Sequence, residues 1–319
     1  MSLSRRHFFI GSSALTAGLI GSTLLSKAST AAVPARPATF DPKDCRSVRA
    51  QFRLSPKFVH ISNFFLSSYP LPVREAIDRY REALNENPYT FLEDHMFARE
   101  KDMIWRKICA VAADYTGGKA DEIALTSSTT QGLAMIYNGL PLKADQEILT
   151  SNHEWYTHDE AMRLAVQKWG GKLRRVDLYT SPAEVSTGQI IAKILNAIRP
   201  HTRILAMTWV HSGTGVRLPI KAIGNMVAKL NQSRSEEDKI IFVVDGVNGF
   251  GCVDEDVADM GCDFFSAGTH KWILGPHGTG IVWGKAQSWK NVIPTIPRIM
   301  APEPANAWRK GTPPPEAVS

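Results

Sequence analysis

Residues 266–276 read "SAGTHKWILGP". Small residues lead into His270, Lys271 and Trp272, and Gly275-Pro276 follows almost at once. The preceding "CDFF" (residues 262–265) is largely apolar, so the stretch reads as a short buried strand that delivers a lysine into a glycine turn. Lysine is among the residues least often buried, and its place at the end of such a strand asks for a chemical reason. One strand-and-connection unit earlier, "KIIFVVDGVNG" (residues 239–249) has the same form, an apolar run ending in Asp245 and a glycine turn. A carboxylate there either caps the turn or emerges toward a site, and it must be paired or hydrogen-bonded to stay charged.

Outward from these two strands the pattern repeats. "EIALTSS" (122–128), "QEILTSN" (146–152), "KLRRVDL" (172–178) and "RILAMTWV" (203–210) read as strands. Between them, "TTQGLAMIYNGL" (129–140), "DEAMRLAVQKWGG" (159–171), a segment around Ile191, Leu195 and Ile198, and one with Ile220, Ile223, Val227 and Leu230 read as helices. Earlier, Val73, Ile77, Tyr80 and Leu84, and then Phe97, Ile104, Ile108 and Val111 before Gly117-Gly118, predict two amphipathic helices with core faces. Strand and helix alternating, with short apolar strands, imply an α/β fold: a mostly parallel sheet sandwiched by helices. Ligands in such sheets bind beyond the carboxyl ends of the strands. Five polar loops fall at those ends: "TSSTTQG" (126–132), "SNHEWYTHDE" (151–160), "VHSGTG" (210–215), "DGVNG" (245–249) and "GTHKW" (268–272).

The composition is that of a globular chain: 319 residues, 44% hydrophobic, 21% charged. The net charge of +6 comes without a lysine or arginine run, so no nucleic-acid footprint is read from it. The four cysteines, Cys45, Cys109, Cys252 and Cys262, have no C-x-x-C or zinc spacing and read as core residues, with a disulfide permitted but not assignable. Residues 1–32 carry Arg5 and Arg6, a mildly apolar Gly/Ser/Ala/Leu run and small residues at 29–32, the form of a cleaved signal peptide. "SRRHFFIG" (4–11) resembles the twin-arginine export consensus, which implies a periplasmic or secreted protein and the twin-arginine machinery as a partner. An uncleaved run would instead serve as an anchor. Residues 33–57 read as a lead-in, 58–290 as one large domain, and 291–319 as a proline-rich tail where a second domain is cut short.

The loops offer a defined chemistry. Ser127, Ser128, Thr129 and Thr130 open a helix, where free N–H groups and hydroxyls bind a phosphate, although Ser and Thr also cap helices generally. An amine in a partly desolvated site has a lowered pKa and can form a Schiff base, whereas a lysine whose ammonium reaches solvent is the common case. Phosphate cradle, strand-end Asp245 and strand-end Lys271 together suit pyridoxal 5'-phosphate (PLP), held on the lysine with a carboxylate at its ring nitrogen. A metal-dependent hydrolase built on His153, Glu154 and His158 is the weaker reading, because their spacing does not set two histidines four apart on one helical face. His60, His201 and His277 have no partner legible in the sequence.

From about residue 58 to 284 the sequence resembles the class V aminotransferases of PLP fold type I, nearest to the isopenicillin N epimerase-like branch and more distantly the cysteine desulfurases. The resemblance rests on "ISNFFLSSYP", "TSSTTQGL", "SNHEWY", "HSGTGVRLPI", "VVDGVNGFG" and "AGTHKWILGPHGTG", in the family's order. It implies that Lys271 is the Schiff-base lysine and general base and that Asp245 keeps the pyridine nitrogen protonated. It places Ser128, Thr129 and Thr130 at the phosphate, with Thr269 and His270 beside the lysine. His153 takes the position that stacks on the ring, with Trp155 and Tyr156 as competitors. Asn248 falls near the ring hydroxyl and Asn63 on the substrate side. The resemblance further implies an amino-acid substrate, by transamination, epimerisation or lyase chemistry, and a homodimer. It also shows a departure: relatives continue into a C-terminal domain, of which Gly311-Thr312 is a faint trace. An exported protein of this fold that binds ligand or partner without turnover is therefore the alternative.

Overall fold

The structure, a computed structural model, describes residues 40–99 and 102–296. The signal segment, most of the lead-in, Gly311-Thr312 and most of the proline-rich tail lie outside the described residues. The chain divides into two compact units at Arg53 and Leu54. In the first, helix α1 (Cys45–Ala50) is capped by the Asp44 carboxylate, which accepts from the Arg46 and Ser47 N–H groups.

The second unit is a seven-stranded sheet with helices on both faces. In chain order its elements are α2 (Leu71–Glu86), α3 (Pro88–His95), α4 (Ile104–Thr116), β1 (Ile123–Thr126), α5 (Thr129–Gly139), β2 (Glu147–Ser151), α6 (Tyr156–Trp169) and β3 (Lys172–Val176). Then follow α7 (Thr187–Ala197), β4 (Thr202–Thr208), α8 (Ile220–Asn231), β5 (Ile241–Asp245), β6 (Phe264–Gly268) and β7 (Gly280–Gly284). The strand order is β1-β7-β6-β5-β4-β2-β3. All neighbours are parallel except the two pairings of β7, which runs against β6 and β1.

The sheet is thus mostly parallel, as the alternation predicts, and its strands alternate between two cores. Ile204 and Ala206 of β4 and Ile241 and Val243 of β5 face Leu133, Tyr137 and Met162 of α5 and α6. Leu205 and Met207, with Phe242 and Val244, face Ile190, Ile194, Ile223 and Val227 of α7 and α8. Period-two alternation into two apolar layers explains why these strands read as continuous apolar runs.

Three expectations need correction. The α2 helix forms but buries no residue, and Tyr80 and Leu84 are exposed. In α4 the buried side is Cys109, Ala113 and Thr116, while Ile108 and Val111 face out and Phe97 precedes the helix. α4 carries apolar residues on two sides, and periodicity alone chose the side that faces out. Cysteines are also divided: Cys109 and Cys262 are core residues, but Cys45 and Cys252 are exposed, and all four are free. No helix among the described residues is long and apolar enough to cross a membrane.

Candidate active site

The carboxyl ends of β1, β2, β4, β5 and β6 lie on one rim, and the five polar loops gather there. Asp245 is the last residue of β5 and only 3% exposed. One carboxylate oxygen accepts from the Val247 N–H at 3.1 Å, and the other has no hydrogen bond among the described residues. Burial raises its pKa, against the pull of His158, the Val247 N–H and Lys271. Three residues beyond the end of β6, Lys271 places Nζ 3.0 Å from Asn248 Oδ1. Asn248 is itself fixed, its amide donating to Val210 O (3.2 Å) and Ser212 Oγ (2.7 Å). Burial lowers the Lys271 pKa, partly opposed by Asp245.

At the start of α5, Ser128 Oγ accepts from the Gln131 N–H at 3.1 Å, the expected cap. That leaves the Thr129 and Thr130 N–H groups unspent at the helix start. Thr129 Oγ1 accepts from the Gly268 N–H at 2.7 Å, tying this helix to the strand that leads to Lys271. Gly268 is packed so closely that a Cβ there would stand 2.7 Å from the His270 ring.

The turn carrying Lys271 is clamped from several sides. Its only left-handed non-glycine residue is Leu274 (φ 59°), whose N–H donates to Lys271 O. Thr269 and Thr279 share a hydroxyl hydrogen bond of 2.5 Å across the turn. Ser67 donates to His270 O through both N (3.0 Å) and Oγ (2.8 Å). His277 returns the contact, its ring 2.9 Å from Ser67 O and its N–H on the Tyr69 hydroxyl.

On the opposite side of the rim, the His153 ring stacks on Tyr179 at 3.9 Å and 6°. Tyr179 is anchored by its hydroxyl, 2.7 Å from His211 Nδ1 and 2.7 Å from Thr214 Oγ1. Burial holds His153 below the usual histidine pKa and brings His211 down to about 4, so both are neutral at pH 7. Below them lies a buried polar cluster. Glu154 meets Ser151 Oγ (2.6 Å), Thr208 Oγ1 and His158 Nδ1 (2.9 Å), and His158 Nε2 meets the Tyr137 hydroxyl at 2.7 Å.

The rim therefore brings together Asp245, Lys271 and Asn248, and joins Thr129 to Gly268 beside Thr269 and His270. Thr130 is exposed in the first turn of α5. Asn63 is half-buried in the loop before Ser67, with no side-chain hydrogen bond among the described residues and nothing tying it to the cluster. Trp155 and Tyr156 are exposed and pack on each other. Sequence reasoning missed Ser67, Tyr69, Tyr179 and His211, whose partners lie far away in the chain. It also left three histidines unpartnered, yet His60 meets Ser55 O, His201 lies 3.6 Å from Glu147, and His277 joins the clamp. His158 points into the core rather than toward a metal position.

These residues suit a phosphorylated pyridine aldehyde. A buried carboxylate has a spare oxygen for a ring N–H, a desolvated amine stands beside it, a helix start offers free N–H groups, and His153 Nε2 is buried without a partner.

Comparison with known proteins agrees with this architecture. Isopenicillin N epimerase of Streptomyces clavuligerus is 27% identical over 239 residues, 75% of this chain and 56% of that protein. The chain spans little more than half the length of the curated relatives it matches first. Among solved structures, the apo cysteine desulfurase of Thermococcus onnurineus NA1 superposes with a TM-score of 0.65 at 20% identity, covering 81% of this chain and 61% of that one. The lyase C-DES, solved as a variant with glycine covalently linked to its PLP cofactor, matches at TM-score 0.65 and 19% identity, covering 77% and 62%. These two likenesses carry the fold. The sequence profile of the class-V aminotransferases matches residues 67–297, well over half of the chain, and the protein belongs to that family of PLP-dependent proteins.

Proposed function

We propose that the chain is a PLP-dependent enzyme acting on an amino acid, by transamination, epimerisation or lyase chemistry, with Lys271 at its centre. The observation that carries the reading is the desolvated Lys271 amine on Asn248, on the same rim as buried Asp245. Bound PLP would supply a cationic ring that takes up the electron pair left when a bond to the substrate α-carbon breaks. Lys271 would hold it covalently, Asp245 would keep its ring nitrogen protonated, and Ser128, Thr129 and Thr130 would receive its phosphate. Asn248 fixes the Lys271 amine, and its own two hydrogen bonds stop it swinging away. Burial lowers the Lys271 pKa and so favours the neutral amine, the form in which Nζ would take a proton from the substrate α-carbon and return it. His153, neutral and backed by Tyr179, would present a flat face to the ring. On the sequence grounds given above, the proposal includes twin-arginine export and a homodimer.

The test is to add PLP to the purified full-length chain, record the visible absorbance, reduce with borohydride and map the modified peptide. A visible band and a label on Lys271, both lost in Lys271→Ala, are expected. A folded chain that gives no band with excess PLP refutes the reading. A second reading, ligand binding without turnover, is favoured by the exposed Phe64, Phe65 and Leu66 in the loop leading to Ser67, which leave that rim open to water. It predicts the same label with no amino acid consumed.

A further inference from the structure

Below the rim, the structure holds two carboxylates in one apolar layer. Alternation along β4 and β5 puts Thr208 and Asp245 on the face covered by α5 and α6, in line with Ile204 and Ala206, and with Ile241 and Val243. Thr208 and Asp245 are direct partners in the parallel pairing of β4 with β5. The Thr208 hydroxyl donates to Glu154 and lies 3.3 Å from His158 Nδ1. Glu154, His158 and Asp245 thus share one face, one strand apart. The side chains of Glu154 and His158 are 1% and 0% exposed. Two carboxylates removed from water at this spacing repel each other and need a cation in the same layer. No salt bridge reaches Asp245 among the described residues, and the Lys271 amine is held on Asn248. The basic side chain that bears on both carboxylates is His158, hydrogen-bonded to Glu154 and acting through its charge on Asp245.

We propose that His158 is a positioning residue for Asp245: as an imidazolium held between Glu154 and Tyr137, it supplies the counter-charge that lets Asp245 stand ionised at the strand end. Protonated, its ring donates to Glu154 through Nδ1 and to the Tyr137 oxygen through Nε2. The groups that face it are Tyr137 from α5, Glu154 from the loop after β2, Thr208 from β4, His211 from the loop beyond it, Asp245 from β5 and Asp159 on its own helix. Burial works against its charge, but the hydrogen bond and charge of Glu154, with Asp245 and Asp159, outweigh burial and raise its pKa. Asp245 feels the reciprocal pull, since His158 is the strongest influence lowering its pKa against burial. A role in PLP chemistry rests on the function proposed above; the charge pairing itself does not.

The experiment has two arms on the full-length chain. Without cofactor, nitrogen NMR of labelled histidine reads the His158 protonation state, and carboxyl-carbon NMR reads the Asp245 titration in the parent and in His158→Gln. The glutamine amide can keep both hydrogen bonds but carries no charge. His158 protonated on both nitrogens at pH 7, and an Asp245 midpoint that moves up in the variant, are expected. A neutral His158 at pH 7, or an unmoved Asp245 midpoint, overturns the proposal, and the first result needs no variant to fold. The second arm compares affinity for PLP and for its 1-deaza analogue, which has carbon in place of the ring nitrogen. The parent prefers PLP by about tenfold or more, and His158→Gln loses most of that preference while binding the analogue within about twofold of the parent. Equal loss for both ligands would mean packing alone and overturns the proposal. A parent that binds neither ligand overturns the PLP reading, while the first arm still decides the charge pairing.

Discussion

Tyr179 separates two contributions, a ring that backs His153 and a hydroxyl that anchors the ring. Tyr179→Phe keeps the 3.9 Å stack and removes only the hydroxyl. On one side it leaves Thr214, which is exposed and finds water instead. On the other it leaves His211 Nδ1 without a partner in a residue 1% exposed, whose Nε2 is already unpartnered. An orphaned buried polar atom costs about 1–3 kcal/mol, so the expected loss is about 2 kcal/mol, or about 4–8 °C in melting temperature for a domain of this size. Tyr179→Ala adds deletion of a buried ring, for a total of about 5 kcal/mol. The assay is urea and thermal unfolding of the three proteins, followed by PLP titration of those that fold. Phe should retain parental PLP affinity, and Ala should lose it through the unsupported His153 ring. The reasoning is refuted if Phe costs less than about 0.5 kcal/mol, which would mean water reaches His211. It is equally refuted if Phe and Ala are indistinguishable in PLP binding.

Other outcomes follow from burial and close packing. His211 has a pKa of about 4 when folded against 6.5 in the open chain, so the unfolded state binds the extra proton and stability falls as pH drops from about 6.5 to 4. His211→Gln should flatten that limb in pH-dependent unfolding, and an unchanged slope would show that His211 is not the group responsible. A Cβ on Gly246 would meet the Phe265 ring at 1.9 Å, so Gly246→Ala should cost about 3 kcal/mol by overpacking. Gly213→Ala, with nothing within 4 Å of its Cβ, should be near neutral in the same thermal assay.

Most of the sheet was legible because each strand is a short apolar run and each connection carries its own turn chemistry. Asp245 and Lys271 stood out because a charged residue closing an apolar run contradicts its surroundings. β7 escaped because "GIVWG" is only five residues with a glycine at each end, and nothing local tells a returning strand from a crossover. Tyr179, His211 and the Ser67 clamp escaped for a different reason. Ser67 and His270 lie 203 positions apart, and only the closed fold makes them neighbours. The same holds for His158, whose meaning depends on Tyr137 and Thr208 from two other elements. Exposed apolar residues on α4 misled because hydrophobic spacing reports that a face is sticky, not what covers it.

The reversed strand bears on how the molecule is made. Among the described residues β1 pairs only with β7, so the first strand of the sheet waits for the last. During synthesis β1 has no strand to pair with until residues 280–284 emerge, about 155 positions later. Lys271 sits inside the hairpin that supplies that neighbour. The helix start at Thr129 meets Gly268 of β6 directly, but the strand before it enters the sheet only through β7, so a ribosome that stalls before Gly280 leaves an open seam between β1 and β6 beside the site.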